Sequence, residues 1–93
     1  MNILVIEDEP DIRKTLEYNI SREGHKVLTA GSLHDAEKIL QSQSLSLVLL
    51  DLMLPDGSGL DFCRKLKTNS KTESIPVIIL TAKDDEVDKV VGF

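Results

Sequence analysis

Alternating strand-like and helix-like periods predict an α/β protein, a parallel sheet with helices on both faces. Two observations carry that prediction. Ile3–Ile6, Lys26–Ala30, Ser46–Leu50 and Pro76–Leu80 are short runs rich in Val, Ile and Leu, the length and composition of buried strands. Between them, apolar residues recur every three or four positions, the spacing of one helix face. The resulting order is βαβαβαβα.

Each element has a local reason. After the first strand, Pro10 suits the opening turn of a helix, where its missing N–H is not needed. Ile12, Leu16 and Ile20 form that helix's apolar face, and Gly24 ends it. KVLTA at 26–30 is the second strand. Ser32 and Asp35 form a capping signature, with Leu33, Ala36, Ile39 and Leu40 as the buried face of the second helix. Pro55 to Gly59 is turn chemistry, and Leu60, Cys63 and Leu66 mark a third helix. Thr68 to Ser74 is a polar loop. Past the fourth strand, Asp84, Asp85 and Glu86 stand where negative charge favours a helix start, and Val87, Val90 and Val91 begin its apolar face. The sequence given stops about two turns into that helix. The expectation is one domain over residues 1–93, incomplete and ending within the fourth helix, that begins with its own first strand.

The totals narrow the function. A chain of 93 residues, 41% hydrophobic and 29% charged, has the composition of one globular domain. A net charge of −5 with no basic stripe disfavours direct nucleic-acid binding and attraction to anionic lipid. No apolar run approaches membrane-spanning length. The single cysteine, Cys63, permits no internal disulfide and fits a reducing, cytoplasmic setting; it reads as a small buried hydrophobe.

Ligands of open parallel sheets bind beyond the carboxyl ends of the strands. Here the first strand ends in Glu7-Asp8-Glu9, the third in Asp51 and the fourth in Thr81. If those strands are neighbours, the acids meet in one crevice and repel one another. A hard divalent cation removes that conflict, and Mg²⁺ suits carboxylates best, whereas no His or Cys stands there for zinc. The residues thus predict a Mg²⁺ site of Glu7, Asp8 and Asp51 with the Thr81 hydroxyl beside it. A carboxylate so placed can attack phosphorus and form an acyl phosphate.

The segments I-E-D-E-P at 6–10, L-L-D-L-M-L-P-D-G-S-G at 49–59 and P-V-I-I-L-T-A at 76–82 together resemble the receiver domain of two-component response regulators. The resemblance spans the whole chain. It implies a flavodoxin-like sheet of order 2-1-3-4-5, of which four strands in order 2-1-3-4 fall within these residues. It implies Asp51 as phosphoacceptor, Glu7 and Asp8 as the acidic pair holding Mg²⁺, and the Met53 backbone carbonyl as a further metal ligand. Thr81 would be the switch hydroxyl and Ala82 the small residue beside it in the phosphoryl pocket. The donor would be a phosphohistidine on a sensor histidine kinase. The wording around LMLPDGSG and TAKDDEVDKVVGF is most similar to regulators carrying a winged-helix DNA-binding effector domain.

One departure stands out. The family's lysine and aromatic switch residue, both on a fifth strand, have no counterpart in residues 1–93, and Lys83 lies on the loop after the fourth strand. The expectations are slowed phosphorylation of this chain, a sheet face lacking a helix, and self-association through the exposed edge of the fourth strand. Two other functions compete. A pseudo-receiver interaction module fits the missing lysine but not the intact acids and Thr81. A Mg²⁺-dependent phosphohydrolase with an aspartate nucleophile needs an acid two residues after it, where Met53 stands. Glu9 reads as a solvated acid, Asp56 as support for its own turn, Gly57 and Gly59 as backbone geometry, and His25 and His34 as surface residues.

Overall fold

The computed structural model describes residues 1–80. Within them the chain runs β1 (Asn2–Ile6), α1 (Pro10–Arg22), β2 (Lys26–Ala30), α2 (Leu33–Ser42), β3 (Leu47–Asp51), β4 (Met53–Leu54), β5 (Gly57–Ser58), α3 (Gly59–Lys67) and β6 (Val77–Leu80). The expected fourth helix lies outside the described residues. The four longer strands form one parallel sheet in the order β2-β1-β3-β6, as the resemblance implies.

Register sorts the side chains into two faces. Leu4 stands opposite Val48, Ile6 opposite Leu50, Val48 opposite Val77 and Leu50 opposite Ile79. With strand side chains alternating between faces, these residues share one side. There they join Ala30 and Ala36, and Phe62, Cys63 and Leu66 of α3, in a single buried cluster. Val5, on the opposite face, is also fully buried, while Leu47, Leu49, Ile78 and Leu80 are half-buried. Helix α1 contributes nothing to the main cluster and has no fully buried residue. Its expected apolar face is therefore shallow: Leu16 and Ile20 are half-covered, and Ile12 is 41% exposed.

Local chemistry sets the boundaries. Pro10 opens α1 as expected, and Gly24 follows the helix end at φ +94, a conformation that side-chain-bearing residues rarely adopt. Ser32 caps α2, its Oγ accepting from the Asp35 N–H at 3.2 Å. The turn region after β3 holds a small antiparallel hairpin, β4 with β5, which the residue pattern alone did not mark. Asp56, at its tip, reaches beyond its own turn. Its two carboxylate oxygens accept from the Leu33 and His34 N–H groups at 2.9 and 3.0 Å, so it completes the N-terminal cap of α2. The loop after α3 is also more tightly held than its polarity implies. Thr72 is buried and donates to the Leu66 carbonyl at 2.7 Å, and Lys67 Nζ donates to the Ile75 carbonyl at 2.7 Å.

Candidate metal and phosphoryl site at the carboxyl edge of the sheet

The sheet places the acids. β1 ends at Ile6, opposite Leu50, and β3 ends at Asp51, opposite Leu80 of β6. Glu7 continues β1 by one residue, its N–H donating to the Ala30 carbonyl at 3.0 Å. Glu7, Asp8 and Asp51 are thereby brought together, each offering a carboxylate oxygen, with these oxygens within 4.8 Å of one another. Their exposures differ: Glu7 is 3% exposed, Asp51 half-buried and Asp8 exposed. The cluster is thus rooted in the sheet and open at its outer side.

Glu7 feels the crowding. Burial pushes its pKa above the ordinary 4.5, and repulsion from Asp51 and Asp8 pushes the same way. The Glu9 N–H, donating to Glu7 Oε2 at 3.0 Å, opposes the shift without cancelling it. Three hard oxygen donors, one of them held against its ionised form, make a set that a divalent cation would relieve. No thiol or imidazole belongs to the cluster.

The backbone around Asp51 is equally constrained. The Gly59 N–H at the start of α3 donates to the Leu52 carbonyl at 2.8 Å. A Cβ on Gly59 would lie 2.2 Å from the Asp51 carbonyl oxygen and 2.9 Å from Leu52 Cα, both backbone atoms. Glycine here is a requirement of close approach, which sharpens the expectation of a purely geometric role. Met53 follows in β4 with its side chain 74% exposed, so the side chain itself is not core. Thr81 and Ala82 lie outside the described residues.

Some residues were not signalled by the motifs. Arg13 Nη1 donates to the Glu7 carbonyl at 2.8 Å and to the Asp8 carbonyl at 3.5 Å, bracing the loop that carries both acids. One hint existed in its position: a cation just inside a helix N-terminus opposes the helix dipole and needs a specific partner. His25, expected on the surface, is half-buried, and its Nδ1 has no hydrogen-bond partner among the described residues.

An open parallel sheet with acids gathered beyond its strand ends defines a doubly wound α/β domain, a class whose ligands bind at the carboxyl edge. Comparison narrows the class. The response regulator receiver domain family matches residues 3–93, and the chain belongs to that family. The transcriptional regulatory protein AfsQ1 of Streptomyces coelicolor is 43% identical over 92 residues, a match that takes in 99% of this chain and 40% of AfsQ1. The chain therefore spans well under half the length of that curated relative. Among solved structures, response regulator TrrA of Thermotoga maritima, in complex with Mg²⁺-BeF, is similar at TM-score 0.80 and 35% identity, covering 88% of this chain and 70% of TrrA. The N-terminal domain of a response regulator receiver protein from Methanoculleus marisnigri is similar at TM-score 0.84 and 34% identity, covering 92% and 70%.

Proposed function

We propose that the chain is a phosphorylation-controlled switch of a two-component signalling system, with Asp51 as the phosphoacceptor. The observation that carries this reading is the meeting of Glu7, Asp8 and Asp51, from the ends of two neighbouring strands, within 4.8 Å. In the proposed step, an Asp51 carboxylate oxygen attacks the phosphorus of a phosphohistidine on a sensor histidine kinase. The new P–O bond forms as the P–N bond breaks, and the departing imidazole keeps the electron pair and takes up a proton. Asp51 is then an acyl phosphate.

Glu7, Asp8, Asp51 and the Met53 carbonyl would hold Mg²⁺, and the acidic cluster fits such an ion by charge, donor type and crowding. When bound, the cation supplies charge neutralisation for phosphoryl oxygens. That the similar TrrA holds Mg²⁺-BeF supports the assignment. The chain's own residues do the rest. β3 fixes the direction of Asp51, and Gly59 holds the backbone behind it. Thr81 is assigned the hydroxyl that follows the phosphoryl group, with Ala82 leaving room for it.

The chain modifies itself and turns over no separate substrate, and a phosphohydrolase is disfavoured by Met53 at the position an acid would need. The name of AfsQ1 and its greater length support an effector domain that binds DNA, outside residues 1–93, and a cytoplasmic setting. No described helix is long and apolar enough to cross a membrane. Finally, β6 pairs on one edge only among the described residues, and self-association of the 93-residue polypeptide along that edge is part of the proposal. A strictly monomeric boundary in sedimentation velocity would remove it.

Intact-mass measurement after incubation with acetyl phosphate and Mg²⁺ tests the central claim. One phosphate should be gained, and Asp51→Asn should gain none. Uptake by Asp51→Asn would overturn the assignment. The 93-residue polypeptide is expected to label more slowly than a longer chain that continues into a fifth strand with its lysine, because no residue in 1–93 matches that lysine.

A further inference from the structure

We propose that Arg13 is a positioning residue that aims Glu7 and Asp8 by holding their backbone, and that Gly31 is glycine to admit its guanidinium. The inference rests on the reading of Glu7, Asp8 and Asp51 as a metal site.

The loop between β1 and α1 carries two of the three acids and has few anchors of its own. Glu9 caps α1 without a side-chain hydrogen bond. The one local side-chain bond is that from the Glu9 N–H to Glu7 Oε2, which uses a carboxylate oxygen of the cluster. Arg13 supplies the missing anchor. Its Nη1 reaches back from α1 to the Glu7 carbonyl at 2.8 Å, with the Asp8 carbonyl at 3.5 Å. A hydrogen bond from an ionised donor to a part-buried carbonyl is among the stronger kinds.

Two features separate this from simple charge balance. The ion pairs among the described residues are Arg64–Asp61 and Lys65–Glu37, and Arg13 belongs to neither. A guanidinium serving only to offset the charge of the acids would sit on a carboxylate, whereas this one donates to main-chain oxygens. The second feature is Gly31, just after β2. A Cβ there would stand 2.9 Å from Arg13 Nη1 and 3.7 Å from Cζ. The guanidinium thus lies between the loop after β1 and the turn after β2, in space that any larger residue would take. Orientation of metal ligands by outer hydrogen bonds is a general determinant of affinity.

Gly31→Ala offers a clean test. The atom it displaces is the far end of a flexible side chain, so the fold can yield there. Neither hydrogen-bonding partner is altered. Mg²⁺ affinity would be measured from amide shifts of residues 7–9 on titration with MgCl₂. Arg13→Ala should weaken binding on the order of tenfold. Gly31→Ala should weaken it in the same direction, and the double variant should be no weaker than Arg13→Ala alone. Arg13→Lys, which keeps one donor, should recover part of the loss. Wild-type affinity in both Arg13→Ala and Gly31→Ala, or additive losses in the double variant, would overturn the inference. Asp8→Asn separates the two claims. If it abolishes binding while Arg13→Ala and Gly31→Ala bind Mg²⁺ as the wild type does, only the role of Arg13 falls. If it binds Mg²⁺ as the wild type does, the metal site falls and the inference with it.

Discussion

At the scale of single residues, Glu7 carries a conflict that solution measurements can read. Its pKa is raised by burial first and by Asp51 and Asp8 next. A carboxyl whose folded pKa lies above its unfolded value favours folding while protonated. That contribution is full below 4.5 and is lost as pH rises through the raised value. In EDTA, the melting temperature should therefore fall across that window, and Glu7→Gln should flatten the fall. Mg²⁺ should raise the melting temperature of the wild type at neutral pH and do little for Asp51→Asn. A Glu7→Gln profile that still falls as steeply would show that the strain lies elsewhere. Asp51 and the acids that follow β1 were legible because a parallel sheet sends every strand's carboxyl end to the same edge. Arg13 was not, because it acts through carbonyl groups that every residue possesses. His25 was misjudged for a related reason: its place in a turn gives no sign of how deeply the turn is packed.

Among elements, α2 shows how far a cap can be fetched from. Ser32 and Asp35, three apart, announced the local half of the cap, and the structure keeps it at 3.2 Å. The other half comes from Asp56, more than twenty residues on, beyond β3 and β4. Sequence spacing carries no trace of such a bond, so Asp56 was read as serving its own turn. Ser32→Ala should cost about 1 kcal/mol of stability by thermal or urea unfolding, with little pH dependence. Asp56→Ala should also lower the melting temperature at pH 7, but with a distinct profile. The N–H groups of Leu33 and His34 hold the Asp56 carboxyl below its ordinary 3.8. Its contribution is present above 3.8 and disappears as pH falls through the lowered value. The Asp56→Ala deficit should therefore shrink in strong acid while the Ser32→Ala deficit persists. Equal pH profiles for the two variants would contradict this division. For α1, the spacing of Ile12, Leu16 and Ile20 correctly gave a helix but not its depth, since period reports a face and not what covers it.

For the molecule as a whole, the alternation of periods was enough to give a parallel α/β sheet, but not the order of its strands. That order came from resemblance, and the register confirms it. The two faces differ: the side with α2 and α3 holds one continuous apolar cluster, and the α1 side is thinner among the described residues. The placing of β1 and β3 at the centre has a consequence for how the protein breathes. Each is hydrogen-bonded on both sides, whereas β2 and β6 are bonded on one side among the described residues. In β2 alternate N–H groups face away from the sheet and should take up deuterium readily, whereas every N–H of Leu4–Ile6 and Val48–Leu50 faces one of two neighbouring strands and should exchange slowly. The strands that aim the acids are then the last to let solvent in, so the site stands on the slowest-exchanging part of the chain while its oxygens face water.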